Sequence, residues 1–149
     1  MYKLSSYKLM MVKDSSVNIP ERIISNPQEA YGILQVYLTG VDRENMVVLL
    51  LTTKNKVIGI HTVSVGTIDR ALVTGREVFK VAIIGNAAAI TLGHNHPSGD
   101  PNPSKEDTRL TRQLVEAGKL LGIEVLDHLV CGENVYCSIK EHYPEIWEE

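Results

Sequence analysis

His94 and His96 stand two residues apart, followed by a loop rich in proline and glycine and then by Ser104 and Asp107, three residues apart. Imidazole and carboxylate suit a borderline divalent metal such as zinc. Three such ligands leave one coordination position open, which separates a catalytic zinc from a structural one. On a strand, side chains two apart share a face, so His94 and His96 point together and Asn95 points away. Ser104-x-x-Asp107 is also a capping-box pattern, which puts Asp107 on the first turn of a helix and makes residues 97–103 the loop that folds it back. Two neutral imidazoles and one carboxylate would leave a zinc site with net positive charge, favouring ionisation of a bound water. Taken singly, the cap and the His-x-His pair each have a plain structural explanation. Their joint spacing, His-x-His-x7-Ser-x2-Asp in a strand–loop–helix context, points to a metal centre.

The elements that must position these residues follow from local pattern. Asn26 can cap and Pro27 can open a helix whose apolar residues, Ala30, Ile33, Leu34 and Tyr37/Leu38, keep helical spacing until Gly40. The apolar run Asn45–Leu51 reads as a strand buried on both faces, with residues 53–56 as a turn and Val57–Val65 as the returning strand. Residues 75–85 look helical, and 87–93 form another buried strand that delivers His94. From Ser104 the strongest helix pattern repeats Leu110, Leu114, Ala117 and Leu121 and stops at Gly122. Residues 123–130 and 135–139 complete a hairpin across Gly132. The order helix, hairpin, helix, strand, helix, hairpin predicts a mixed α/β sandwich, a single domain over 25–149. Residues 1–24 read as a leader arm with one strand-like piece, Tyr7–Val12, lying on the domain or on a partner subunit.

With 149 residues, 44% hydrophobic and 22% charged, the chain suits one soluble domain. A net charge of -3 with scattered basic residues gives no pull toward nucleic acid, which is disfavoured as a partner. The longest strongly apolar stretch, Met46–Leu51, is too short to span a bilayer, and the N-terminus lacks the apolar core of a signal peptide. A cytoplasmic location is expected. Cys131 and Cys137 are read as small apolar strand residues rather than a disulfide. His61 reads as a half-exposed strand residue, though one able to approach a metal. His128 reads as structural or as support for a ligand, Glu77 as a residue favouring its helix dipole, and His142 as non-catalytic.

The spacing resembles the JAMM (JAB/MPN) metalloprotease motif, whose members include zinc isopeptidases. The longer string His94-Asn95-His96-Pro97-Ser98-Gly99-Asp100, with Pro103-Ser104, resembles the RadC branch. Gly66-Thr67, Arg76-Glu77-Val78-Phe79, Asn86-Ala87-Ala88-Ala89 and Leu126-Asp127-His128-Leu129-Val130 are similar to RadC as well. The resemblance implies a mixed β-sheet flanked by helices, JAB/MPN-like and related to cytidine deaminases. It implies zinc on His94, His96 and Asp107, Ser104 hydrogen-bonding a developing oxyanion, and Glu44 as the carboxylate that holds and deprotonates the attacking water. Chemically, a carboxylate near such a water can serve as general base and then acid.

The expected activity is that of a zinc hydrolase cleaving an amide bond in a protein or peptide substrate. A non-catalytic MPN-type binding module is one alternative, and a DNA-maintenance factor or nuclease another. Full-length RadC proteins also carry an N-terminal helix-hairpin-helix segment, which nothing here resembles. The strand-like leader makes a homodimer plausible through strand exchange or edge pairing.

Overall fold

The structure, a computed structural model, describes residues 1–66 and 73–148. Thr67 of the Gly66-Thr67 pair and Glu149, the last residue of the expected domain, lie outside the described residues.

The elements run α1 (Pro27–Leu38), β1 (Asn45–Leu51), β2 (Val57–Val65), α2 (Gly75–Ile84), β3 (Ala89–Asn95), α3 (Lys105–Leu121), β4 (Glu124–Cys131), β5 (Tyr136–Ser138) and α4 (Ile139–His142), closed by a 3-10 turn at Pro144–Ile146. The strands form one sheet in the order β2-β1-β3-β4-β5. β3 and β4 are parallel, joined by the α3 crossover, and the other neighbours are antiparallel. The mixed α/β expectation holds.

β1 explains why the apolar run has no alternation. All seven of its residues are buried. Met46, Val48 and Leu50 pack with α2 and α3 on one face, against Phe79, Ala82, Leu114 and Val115. Val47, Leu49 and Leu51 pack with α1 on the other, against Ile33, Leu34 and Leu38. Helices cover both faces, so both strand parities must be apolar. Each fully buried aliphatic side chain contributes about 1.5–3 kcal/mol relative to exposure.

Three expectations need correction. The leader forms no strand at Tyr7–Val12 among the described residues, and those side chains are exposed. A strand needs a hydrogen-bonding neighbour, and the leader's backbone pairing with the sheet lies at Arg22–Ile24, where Ile23 bridges to Lys56 and the Arg22 carbonyl accepts from Val57 N–H. Of the expected α3 repeat, Leu114 is buried and Leu110 and Ala117 pack partly buried on the core, but Leu121 is half exposed, and Thr111, Val115 and Gly118 complete the buried face. Gly118 lets the helix backbone sit directly against the Ile123 carbonyl oxygen, where a side chain would collide. Finally, β5 stops at Ser138. The Ser138 side chain accepts from Glu141 N–H and starts α4 at Ile139, which was expected as the strand's last residue.

Candidate metal centre

Sheet register brings the site together. Met46 pairs with His94 across the antiparallel β1–β3 ladder. At the same end of the sheet, one residue outside each strand and in step with the Met46 and His94 face, come Glu44 before β1 and His96 after β3. The α3 crossover then returns Asp107 to this face: Ser104 Oγ accepts from Asp107 N–H, and Ser104 N–H donates to Asp107 Oδ2 at 2.8 Å. The capping box therefore exists and holds the carboxylate in place. Ligand atoms of Glu44, His94, His96 and Asp107 all lie within 4.8 Å of one another.

The spacings distinguish the four. His94 Nε2 is 3.1 Å from His96 Nε2, His96 Nε2 is 3.1 Å from Asp107 Oδ2, and His94 Nε2 is 3.3 Å from Asp107 Oδ1. Bond lengths of about 2.0–2.1 Å on a tetrahedral zinc put neighbouring ligand atoms roughly 3.3 Å apart, so these donors fit with little adjustment. Glu44 Oε1 stands further off, 3.8 Å from His94 Nε2 and 3.9 Å from His96 Nε2. It belongs beside the triangle rather than in it. Two imidazole nitrogens and one carboxylate suit a borderline divalent metal, a class that includes zinc, better than the cations that prefer all-oxygen ligands.

Electrostatics are strongly coupled. Burial alone would raise the Asp107 carboxyl, but the adjoining His94 and His96 imidazoles, with His96 in hydrogen-bond contact, and the Ser104 backbone N–H hold it well below the usual carboxylate range. The hydrogen bond to Asp107 raises the His96 imidazole; burial opposes this and the Asp100 carbonyl assists. His96 Nδ1 lies 2.8 Å from the Asp100 carbonyl oxygen, which can only accept. Nδ1 therefore carries a hydrogen, and in neutral His96 the Nε2 lone pair faces the cluster.

Asn95 points off the histidine face and has a task that residue-type reasoning missed. Its Oδ1 accepts from Asn45 N–H at 2.8 Å and its Nδ2 donates to the Arg43 carbonyl at 2.9 Å. One side chain thus clamps the backbone on both sides of Glu44. The signal was available in the β1–β3 pairing, but no single segment shows it. Thr111 was missed as well. It is fully buried and contacts His128, whose Nε2 lies 2.7 Å from His94 Nδ1. His128 therefore supports a cluster residue. Asp127 does not bond its imidazole; it accepts from His128 N–H, Lys140 N–H and the Ser138 hydroxyl.

The remaining singled-out residues stay apart from the cluster. His61 is exposed on β2 opposite Val48, and Glu77 pairs with Lys80 after Thr74 caps α2. His142 contacts Ser138 and Cys137, and both cysteines are buried and free. Beside His96 a cleft of about 410 Å³ opens between α1, the loop after β3 and the β4–β5 turn. Tyr31, Gln35, Ser98, Glu133 and Asn134 help to line it. Among the described residues no helix is long and apolar enough to cross a membrane.

A family model described as the RadC-like JAB domain matches residues 24–144. A UPF0758 protein of Moorella thermoacetica is 50% identical over 127 residues, covering 85% of this chain and 56% of that protein. One from Rubrobacter xylanophilus is 52% identical over 120 residues, 80% of this chain and 52% of its own length. Another, from Methanosarcina mazei, is 40% identical over 135 residues, 91% of this chain and 59% of its own length. The chain thus spans little more than half the length of these relatives.

Proposed function

The chain belongs to the RadC-like JAB domain family, and on that premise we propose that it is a zinc-dependent hydrolase that cleaves amide bonds in a peptide or protein substrate. The observation that carries this reading is the tight His94–His96–Asp107 triangle with the buried Glu44 carboxylate just outside it. Zinc bound there would supply Lewis acidity and would lower the pKa of water to roughly 7.

The chain's own groups then have separable tasks. Glu44, only 6% exposed, orients the attacking water, takes its proton at Oε1 and passes it to the leaving amine. The Asn95 clamp keeps that carboxylate from swinging away. Ser104 Oγ uses an oxygen lone pair to accept from Asp107 N–H, so its hydrogen is left to donate to the oxygen of the reacting carbonyl. The cleft beside His96 would receive the chain flanking the scissile bond, with Gln35 and Asn134 offering amide partners to a peptide backbone.

The test compares wild type with Glu44→Gln on a panel of peptides, isopeptide conjugates and simple amides. The variant should retain its zinc and lose about 10²–10⁴-fold in rate, the usual worth of a general base. Equal rates would remove Glu44 from the chemistry.

A further inference from the structure

Behind the cluster, away from the cleft, two buried polar side chains meet with no part in the chemistry described above. His128 on β4 is fully buried and so is Thr111 on α3. We propose that Thr111, acting through His128, fixes the tautomer of His94 so that its Nε2 lone pair faces Glu44, His96 and Asp107. The proposal rests on the zinc reading for its consequence, but not for its geometry.

Thr111 Oγ1 lies 2.6 Å from the Asp107 carbonyl oxygen. A carbonyl only accepts, so the single hydroxyl hydrogen of Thr111 goes there. Thr111 Oγ1 also lies 2.6 Å from His128 Nδ1, and with its hydrogen committed it can only accept. His128 Nδ1 is therefore the donor.

The ring of His128 is fully buried and its two nitrogens contact a hydroxyl and an imidazole, so a single ring hydrogen, on Nδ1, completes its bonding. Its Nε2 then carries a lone pair. That lone pair lies 2.7 Å from His94 Nδ1, which must donate. Neutral His94, having its hydrogen on Nδ1, presents a bare Nε2 to the cluster.

The relay closes a ring through the fold. It runs from His94 to His128, to Thr111, to the backbone carbonyl of Asp107, and through Asp107 itself back to His94. Two ligands from different elements are held to one another by one strand residue and one helix residue. Thr111 is thus a positioning residue: without its hydroxyl, His128 is free to turn its hydrogen to Nε2, leaving His94 Nδ1 as acceptor and its Nε2 protonated.

Two measurements test this. The first is long-range proton–nitrogen NMR on metal-free wild type labelled at histidine nitrogens, at about pH 8, above the ordinary imidazole value. His94 should show a protonated Nδ1 and a bare Nε2; the opposite tautomer would overturn the proposal. This readout needs no metal, so a wild type that bound no zinc would sink the zinc reading while the relay still stood or fell on the tautomer. The second is zinc affinity by chelator competition in Thr111→Val and Thr111→Ser. Loss of such a supporting hydrogen bond weakens metal binding by about 10–100-fold, and Thr111→Ser, which keeps the hydroxyl, should stay within about 3-fold of wild type. A folded Thr111→Val with wild-type affinity would overturn the relay.

Discussion

Gly93 precedes His94 on β3 but faces the other side of the sheet, where Leu34 of α1 fills the space its missing side chain leaves. An alanine Cβ there would lie 2.5 Å from Leu34 Cδ1, 2.7 Å from Cδ2 and 3.1 Å from Cγ. Ordinary carbon contacts need about 3.5–4.0 Å, so Leu34 or α1 would have to retreat by roughly 1 Å. Leu34 is completely buried, so it cannot swing out into solvent to make room. Overpacking of this kind costs about 1–3 kcal/mol, so Gly93→Ala should unfold at lower denaturant with an unchanged slope. Leu34→Ala alone should cost about 2–5 kcal/mol through the cavity it leaves. In the double variant the new methyl enters that cavity, and the combined loss should fall short of the sum by more than about 1 kcal/mol. Zinc affinity of Gly93→Ala should remain within about 3-fold of wild type, because the ligands lie on the opposite face. An additive double variant would refute the packing account. A folded Gly93→Ala that had lost its zinc would refute the separation of the two faces.

The other predictions concern charge and metal. Burial raises the Asp127 carboxyl above its ordinary 3.8, while hydrogen bonds from Ser138, His128 N–H and Lys140 N–H pull it down. A raised carboxyl contributes most to folding when protonated, fully below pH 3.8, and less as pH rises through its folded value. The stability of wild type relative to Asp127→Asn should therefore decline as pH climbs from 3.8 and then level off; a rise would contradict the dominance of burial. Adding zinc at about 100 times its dissociation constant should stabilise the metal-free protein by about 2.7 kcal/mol. At roughly 2–4 °C per kcal/mol this is a melting shift of about 5–10 °C. The shift should vanish in Asp107→Ala, and its persistence there would place the metal elsewhere.

How much of this was legible in the sequence depended on whether a signal was local. The run Asn45–Leu51, the caps at Asn26 and Ser104, and the turn at Gly122 are decided within a few residues, and the structure has them where local pattern puts them. His94 and His96 share a face because strand geometry requires it. The clamp of Asn95 around Glu44 and the relay from Thr111 through His128 each need contacts between residues far apart in the chain, set by register and helix rotation. The last buried position of α3 is Gly118 rather than Leu121, since Gly118 is where the helix touches the chain backbone at Ile123, a contact between elements that periodicity within the helix does not show. Tyr7–Val12 has strand-like residues, yet composition cannot supply the neighbour a strand requires. Ser138 and Glu141 did carry a local capping signal for α4, but the apolar Ile139 drew the strand past it.

Elemental analysis of the purified protein after zinc reconstitution and desalting tests the central claim most directly. Wild type should hold about one zinc per chain, and folded His94→Ala and Asp107→Ala should hold none. A metal-free wild type, or variants with undiminished zinc, would contradict a metal centre built from His94, His96 and Asp107.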